Sequence, residues 1–564
     1  ADTYDWKIKD FKGVDKDRLV IYELLIRDFT GTEGQSKGNG TLAGVMEKLD
    51  YLQSLGINAI ELLPIMEFNG NNSWGYNPNF YFAPDKAYGT PDDYRRLIDA
   101  AHERGMAVIL DVVFNQTDGL HPWYKMYPAS KNPFYNASAP HSYSVLNDWK
   151  QENPLVQQQF KDVLRYWLEA YNVDGFRFDL VKGLGDDDSY GATYNASTNK
   201  YTGVTEAKTN AYNASRVARM KELHAAMMEV NPDAYFINEN LAGAKEENEM
   251  AADGELNWAN INNASCQFAM GWPEGCQLNR FYSISDGRTK GSTVSYAESH
   301  DEERMAFKIN KWGAAGVKGD TEVAMRRLGS VAAIMLMTPG SHMIWQFQEF
   351  GADESTKKTD SAGNPTGENN TNPKKVIWSY LDNPDRAALH NTYAALNGIR
   401  NDNPGLFGNN ATATMKCNSV SSSKWGSGFT ISLSDGAKEL YCVVNPEVTS
   451  EMKIAVPFKN DASTYHLVLA SPSTTPSLSG SEATLAPGAF AIYGTLDISG
   501  LDNTTYDLTT AVTVKGGVGS ITVEGDYDTL SVYTLTGIMT GCDNLAPGIY
   551  IVTVDGTTHK VLVR

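Results

Sequence analysis

From about residue 18 to residue 400 the chain alternates between short apolar runs and longer amphipathic stretches. The runs are "RLVIYELLIRDF" (18–29), "INAIELLPIMEF" (57–68), "MAVILDVVFN" (106–115), "VDGFRFDLV" (173–181), "AYFINEN" (234–240), "STVSYAESHD" (292–301) and "HMIWQFQEF" (342–350). Helical patterns such as "TPDDYRRLIDAAHERG" (90–105) and "NPLVQQQFKDVLRYWLEAYN" (153–172) lie between them. In the first of these Thr90 is placed to cap the helix, Pro91 suits its first turn and Gly105 stops it. Strands joined by long helical crossovers are laid down parallel. Seven strands are legible, and an eighth is expected in 255–280, where the signal is weakest. The total predicts an α/β fold, a (β/α)8 TIM barrel, over residues 1–400.

One connection is oversized. Residues 116–152, after the third strand, are rich in Pro, Tyr, Asn and His without a clear period, and are expected to form a small inserted subdomain. The segment 352–374 is polar and turn-rich, and is expected to be mobile. After about residue 402 short alternating strands replace the helices. They predict an antiparallel β-sandwich over 401–498 and a small all-β module over 499–564.

A length of 564 residues is more than a single core usually serves. The net charge of -20 argues against nucleic acid or an anionic membrane as partner. No apolar run approaches the roughly 20 residues of a membrane-spanning helix. The first residue is Ala1, so a trimmed N-terminus is expected. Five cysteines, an odd count without metal-like spacing, point to free thiols and not to a disulfide framework or zinc site. A monomer is expected.

Polar residues at the C-terminal ends of barrel strands face the site such barrels use. Those ends carry Asp111 and Asn115, Arg177 and Asp179, Glu239, and His300 and Asp301. In "DGFRFDLVKG" (174–183) a cation and an anion stand two residues apart, on one strand face, among aromatic neighbours. Burying such a pair costs several kcal/mol per ion, so a salt bridge and a working site are the two readings. Several carboxylates converging on one mouth favour the site. One ionised carboxylate can attack an anomeric carbon while a protonated one donates to the leaving oxygen. Arg177 is expected to hold Asp179 ionised.

These residues resemble the α-amylase family of glycoside hydrolases, family 13. "DVVFNQ" (111–116), "GFRFDLVKG" (175–183), "FINEN" (236–240) and "AESHD" (297–301) are similar to its four ordered signature regions, and "SWGYNPNFYFAP" (73–84) to a further stretch. The resemblance implies Asp179 as nucleophile, Glu239 as general acid/base and Asp301 as the third carboxylate. It implies a sugar-binding set of Tyr76, Trp74, Gln116, Arg177, Lys182, Gly183 and His300. Asn115 and Asp148 are the implied ligands of a structural Ca²⁺. Gln116 stands where the family usually has His, and Ser299 where it usually has Asn.

The activity implied is retaining cleavage of α-1,4 bonds in starch, glycogen or maltooligosaccharides, with an α-glucan as partner. The alternatives are an α-1,6-debranching enzyme, a chain transferase or branching enzyme, and a dead barrel that only binds; the three retained carboxylates argue against the last. "LTGIMTG" and "LAPGIYIVTVDGTTHKVLV" in the last module resemble C-terminal sorting domains of secreted Bacteroidetes proteins. That implies an exported bacterial protein, extracellular, cell-surface or periplasmic.

Overall fold

The computed structural model describes residues 4–496 and, beyond them, 513–516, 520–524, 529–534, 539–543, 545–546, 548–554 and 557–563. The chain divides into two compact units, 1–496 and 497–564.

In the first unit eight parallel strands close into a barrel. They are β1 (Val20–Leu24), β2 (Ala59–Leu62), β3 (Ala107–Val112), β4 (Gly175–Phe178), β5 (Tyr235–Asn238), β6 (Leu256–Asn260), β7 (Thr293–Tyr296) and β8 (Ser341–Trp345). Each pairs with the next, and β8 returns to β1. The eighth strand falls in the expected window, as β6. The period-2 alternation sorts side chains to two sides. Ile21, Ile109, Ile237, Val294 and Met343 fill the barrel interior, whereas Tyr22, Leu62, Val108 and Phe176 pack outward in the main core.

Helices α1 (Pro91–His102), α2 (Pro154–Tyr171), α3 (Ala214–Met228), α4 (Ala244–Ala252) and α5 (Thr321–Leu336) are among the crossovers. The start of α1 is a capping box: Thr90 accepts from the Asp93 amide and Asp93 bonds back to the Thr90 amide. Asn172, in the left-handed conformation at φ 50°, ends α2.

The strands are shorter than the apolar runs that announced them. The run 18–29 leaves the sheet after Leu24 and turns into a short helix, Ile26–Phe29. The run 57–68 breaks into β2 and a separate strand, Met66–Phe68, which pairs with Pro78–Pro84. In β4 and β5 the carboxylates Asp179 and Glu239 stand just past the last paired residue. Apolar composition shows what is buried, not where pairing stops.

The insertion after β3 is present. Gln116–Thr117 pairs with Asn147–Asp148 and closes it. A second excursion, after β4, carries a hairpin of Thr193–Asn195 and Lys200–Thr202 that sequence reading missed. The polar segment 352–374 is also built. Lys357–Thr359 pairs with Pro365–Asn369, and this hairpin reaches the mouth of the barrel.

The sandwich has a five-stranded and a three-stranded antiparallel sheet. It is packed into the same unit as the barrel. Arg327 of α5, fully buried, donates to the Phe268 carbonyl on the barrel side and to the Pro446 and Glu447 carbonyls on the sandwich side. In the second unit Met539–Thr540, Leu530–Thr534, Gly548–Val554 and Thr557–Val563 form an antiparallel sheet. Among the described residues no helix is long and apolar enough to cross a membrane. All five cysteines are free thiols.

Candidate active site

Arg177 is the hub. Its side chain is 0% exposed and projects inward from β4, with its guanidinium 4.0 Å from the centre of the Trp258 ring on β6. Nη1 donates to both oxygens of Asp111 on β3, each at 2.9 Å, and to Asp179 Oδ1 at 3.0 Å. Nη2 lies 3.1 Å from Glu239 Oε2. One cation thus ties together carboxylates from three adjacent strands. Its burial is compensated by contacts that a lone buried cation would lack.

Leu180, next after Asp179, and Leu241, two residues past Glu239, are strained. Leu180 has φ 45° and Leu241 φ 47°, a left-handed conformation that non-glycine residues adopt at a cost of about 1–3 kcal/mol each. At Leu180 the turn has a visible use: its amide donates to Glu239 Oε2 at 2.7 Å. The chain after the Asp179 carboxylate therefore helps to hold Glu239.

His300 and Asp301 follow β7. His300 Nδ1 is 2.5 Å from Glu23 Oε1, a buried carboxylate of β1, and Nε2 is 2.9 Å from the Tyr76 hydroxyl. The Tyr76 ring stacks on His300 with centroids 5.1 Å apart, and its hydroxyl donates to Asp111 Oδ2 at 2.5 Å. Asp301, with 38% of its side chain exposed, is the most open of the three carboxylates. Asn369 donates to its Oδ1 at 2.5 Å, and the Lys357 ammonium bonds both its backbone carbonyl and Asn369. Both partners come from the polar hairpin.

The electrostatics separate the carboxylates. Burial, opposed by Arg177, pushes Asp179 up to about 6. Burial, opposed by Arg177 and aided by the nearby Asp179 and Asp301 charges, pushes Glu239 up to about 7. Burial also acts to raise Asp301, but His300, Arg177 and Lys357 hold it below the usual carboxylate range. Burial acts against a charged His300, yet Asp301 and Glu23 raise it to about 10. Arg177 therefore restrains the rise at Asp179 without reversing it. Asp301 therefore ionises most readily of the three, and Glu239 keeps its proton to the highest pH.

The remaining predicted residues divide. Lys182 stands on a short turn after β4 with its ammonium 5.5 Å from the Tyr143 ring. Gly183 is required: a Cβ there would lie 1.7 Å from Asn115 Oδ1. Trp74 is 7% exposed and packs with Leu25, Leu63 and Trp345, edge-on to His300, so it walls the site. Gln116 is turned to protein, against expectation. Its Nε2 donates to the Tyr76 carbonyl at 3.1 Å and its Oε1 accepts from Asn115 at 2.7 Å. It holds the loop that carries Tyr76, just before the strand Pro78–Pro84.

The expected calcium ligands are both buried, but as arranged they do not fit that ion. Ca²⁺ takes six to eight oxygens. Asp148 has Oδ1 at 2.9 Å from His141 Nε2 and Oδ2 at 2.9 Å from the Asn136 amide, so both its oxygens are engaged. Asn115 offers one buried unpartnered oxygen, and an imidazole nitrogen stands beside it where further oxygens are needed.

Glu23, Lys357 and Asn369 were not anticipated. Glu23 had a signal, being a charged residue at an inward position of an apolar strand. The hairpin residues had none.

Residues 23–142 and 140–402 match the family model for the alpha-amylase catalytic domain. The chain belongs to the alpha-amylase family. It is similar to malto-oligosyltrehalose trehalohydrolase of Arthrobacter ramosus, 28% identical over 62% of this chain and 60% of that protein. It is similar also to isoamylase SU1 of Zea mays, 34% identical over 32% of this chain and 26% of that protein. The chain thus spans less than two thirds of the length of these curated relatives. The solved alpha-amylase of Geobacillus thermoleovorans superposes with a TM-score of 0.63 over 85% of this chain and 99% of its own, at 16% identity, a likeness of fold.

Proposed function

We propose that this alpha-amylase family protein is a retaining glycosidase that cuts α-1,4 bonds in starch-like glucans. The observation that carries the proposal is the Arg177-centred pair in which Glu239 titrates above Asp179. Ionised Asp179 attacks the anomeric carbon as Glu239 gives its proton to the departing glycosidic oxygen. The C–O bond to the leaving sugar breaks and a bond to Asp179 forms. Glu239, now ionised, then takes a proton from water. That water's oxygen attacks the same carbon and Asp179 leaves, so two inversions give net retention. Asp301, open to solvent and ionised, accepts hydrogen bonds from sugar hydroxyls, and Tyr76 stacks on the ring at the cut. A cavity of about 260 Å³ beside His300, with Trp74, Arg304, Trp345 and Tyr380 among its walls, takes a neighbouring sugar.

Asp179→Asn and Glu239→Gln keep shape and remove nucleophile and acid. Glu239→Gln should cost about 10²–10⁴-fold in turnover and Asp179→Asn at least as much, with the fold retained by circular dichroism. Near-normal turnover in either would show the site is misassigned.

A second reading is α-1,6 debranching, which the likeness to an isoamylase and the "SWGYNP" stretch favour. Incubation with amylose and with pullulan separates the two. Short maltooligosaccharides from amylose support the first, and maltotriose from pullulan with intact amylose supports the second. We also propose export, on the β-rich C-terminal unit. Detection of the protein only in the cytoplasmic fraction of its native cells would refute that.

A further inference from the structure

Away from the catalytic mouth, His224, Asp253 and Glu255 each bring a ligand atom within 4.8 Å of the other two. His224 lies on α3, Asp253 follows α4, and Glu255 leads into β6. Asp253 and Glu255 precede β6, which places the cluster toward the N-terminal end of the barrel, opposite the carboxylates at the strands' C-terminal ends.

Three acidic or basic side chains near one another are not by themselves a site. The further observation is an orphan. Glu255 is 1% exposed and its Oε2 accepts from Asn238 at 2.6 Å, but its Oε1 is buried without a partner. A buried oxygen without a partner is costly whether it is charged or neutral. A cation at the cluster would remove that cost. We infer that His224, Asp253 and Glu255 form a structural site for a borderline divalent metal ion of the Zn²⁺ class.

The donor set fits that class. One imidazole and two carboxylates suit Zn²⁺, and the two negative charges balance the ion. Ligands about 2.0–2.2 Å from a tetrahedral Zn²⁺ stand roughly 3.3–3.5 Å apart. His224 Nδ1 and Asp253 Oδ2 are already 3.2 Å apart; the ion would take the place of that contact, binding the neutral imidazole through Nδ1 with its ring proton on Nε2 and both carboxylates ionised. Asp253, with 39% of its side chain exposed, gives an entry path and can rotate to close the remaining gap. Water completes the fourth position. Lys16, which bonds the Gly254 carbonyl, and Lys221 face the same carboxylate and oppose the ion, so affinity should be moderate. The ion would tie α3 to the connection between α4 and β6.

The test uses the full chain without a histidine tag, freed of metal and titrated with ZnCl₂ by calorimetry. One ion should bind per chain and raise the Tm. Co²⁺ should give the visible absorption of a four-coordinate site. His224→Gln and Asp253→Asn should each weaken binding by more than about ten-fold, with secondary structure unchanged by circular dichroism. No binding heat and no Tm shift in the parent protein would overturn the inference. So would equal Zn²⁺ affinity in the parent and in both folded variants.

Discussion

Arg177 on β4 and Asp179, just past the end of that strand, are joined at 3.0 Å from Nη1 to Oδ1. The same guanidinium binds Asp111 and lies against Glu239, so one buried cation is shared among three carboxylates. Taking away one partner of such a cluster is costly because the others remain uncompensated. Arg177→Met should therefore lower stability by about 3–5 kcal/mol and abolish turnover. Asp111 and Asp179 are raised to about 6 in the folded protein, so their charged forms oppose folding as pH rises through that value. The deficit of the variant should be larger at alkaline than at acid pH, measured by denaturant unfolding at each.

Activity should follow a bell in pH. Asp179 must be ionised, so kcat/KM should fall on acidification below about 6. Glu239 must be protonated, so it should fall again above about 7. Initial rates across the pH range check this. An alkaline limb that persists in Glu239→Gln would assign that limb to another group.

Asn369 reaches Asp301 at 2.5 Å from the hairpin, and Lys357 braces both. Asn369→Ala should leave the fold intact and free Asp301 to rotate. Because Asp301 is expected to bind more tightly in the transition state, kcat should fall along with affinity. Steady-state kinetics on a maltooligosaccharide would show it, and a change in KM alone would limit the hairpin to ground-state binding.

The barrel was legible because its strands are buried on both faces and its helices carry capping residues such as Thr90 and Asn153. Asp179, Glu239 and Asp301 were legible because strand ends point the same way. The hairpin was not. Its residues are polar and turn-forming, and its order comes from turn bonds around Asp360 and from contacts with Asp301 and Lys311, distant in sequence. Gln116 was misjudged for a related reason: position marks a residue as near the site without telling which way its amide faces. The excursion after β4 has no apolar periodicity to announce it.

Calcium should not act through Asn115 and Asp148. With both Asp148 oxygens engaged by His141 and Asn136, adding Ca²⁺ to metal-free protein should leave Tm unchanged. Differential scanning fluorimetry suffices, and a rise in Tm that Asp148→Asn removes would restore calcium to that site.

The most direct test of the central claim is the anomer released first. Proton NMR during the initial minutes of maltooligosaccharide cleavage separates the α and β reducing-end signals before mutarotation mixes them. Two displacements through Asp179 predict the α anomer at the earliest times, relaxing afterwards toward equilibrium. The β anomer appearing first would mean a single inverting displacement, and would contradict the roles given to Asp179 and Glu239.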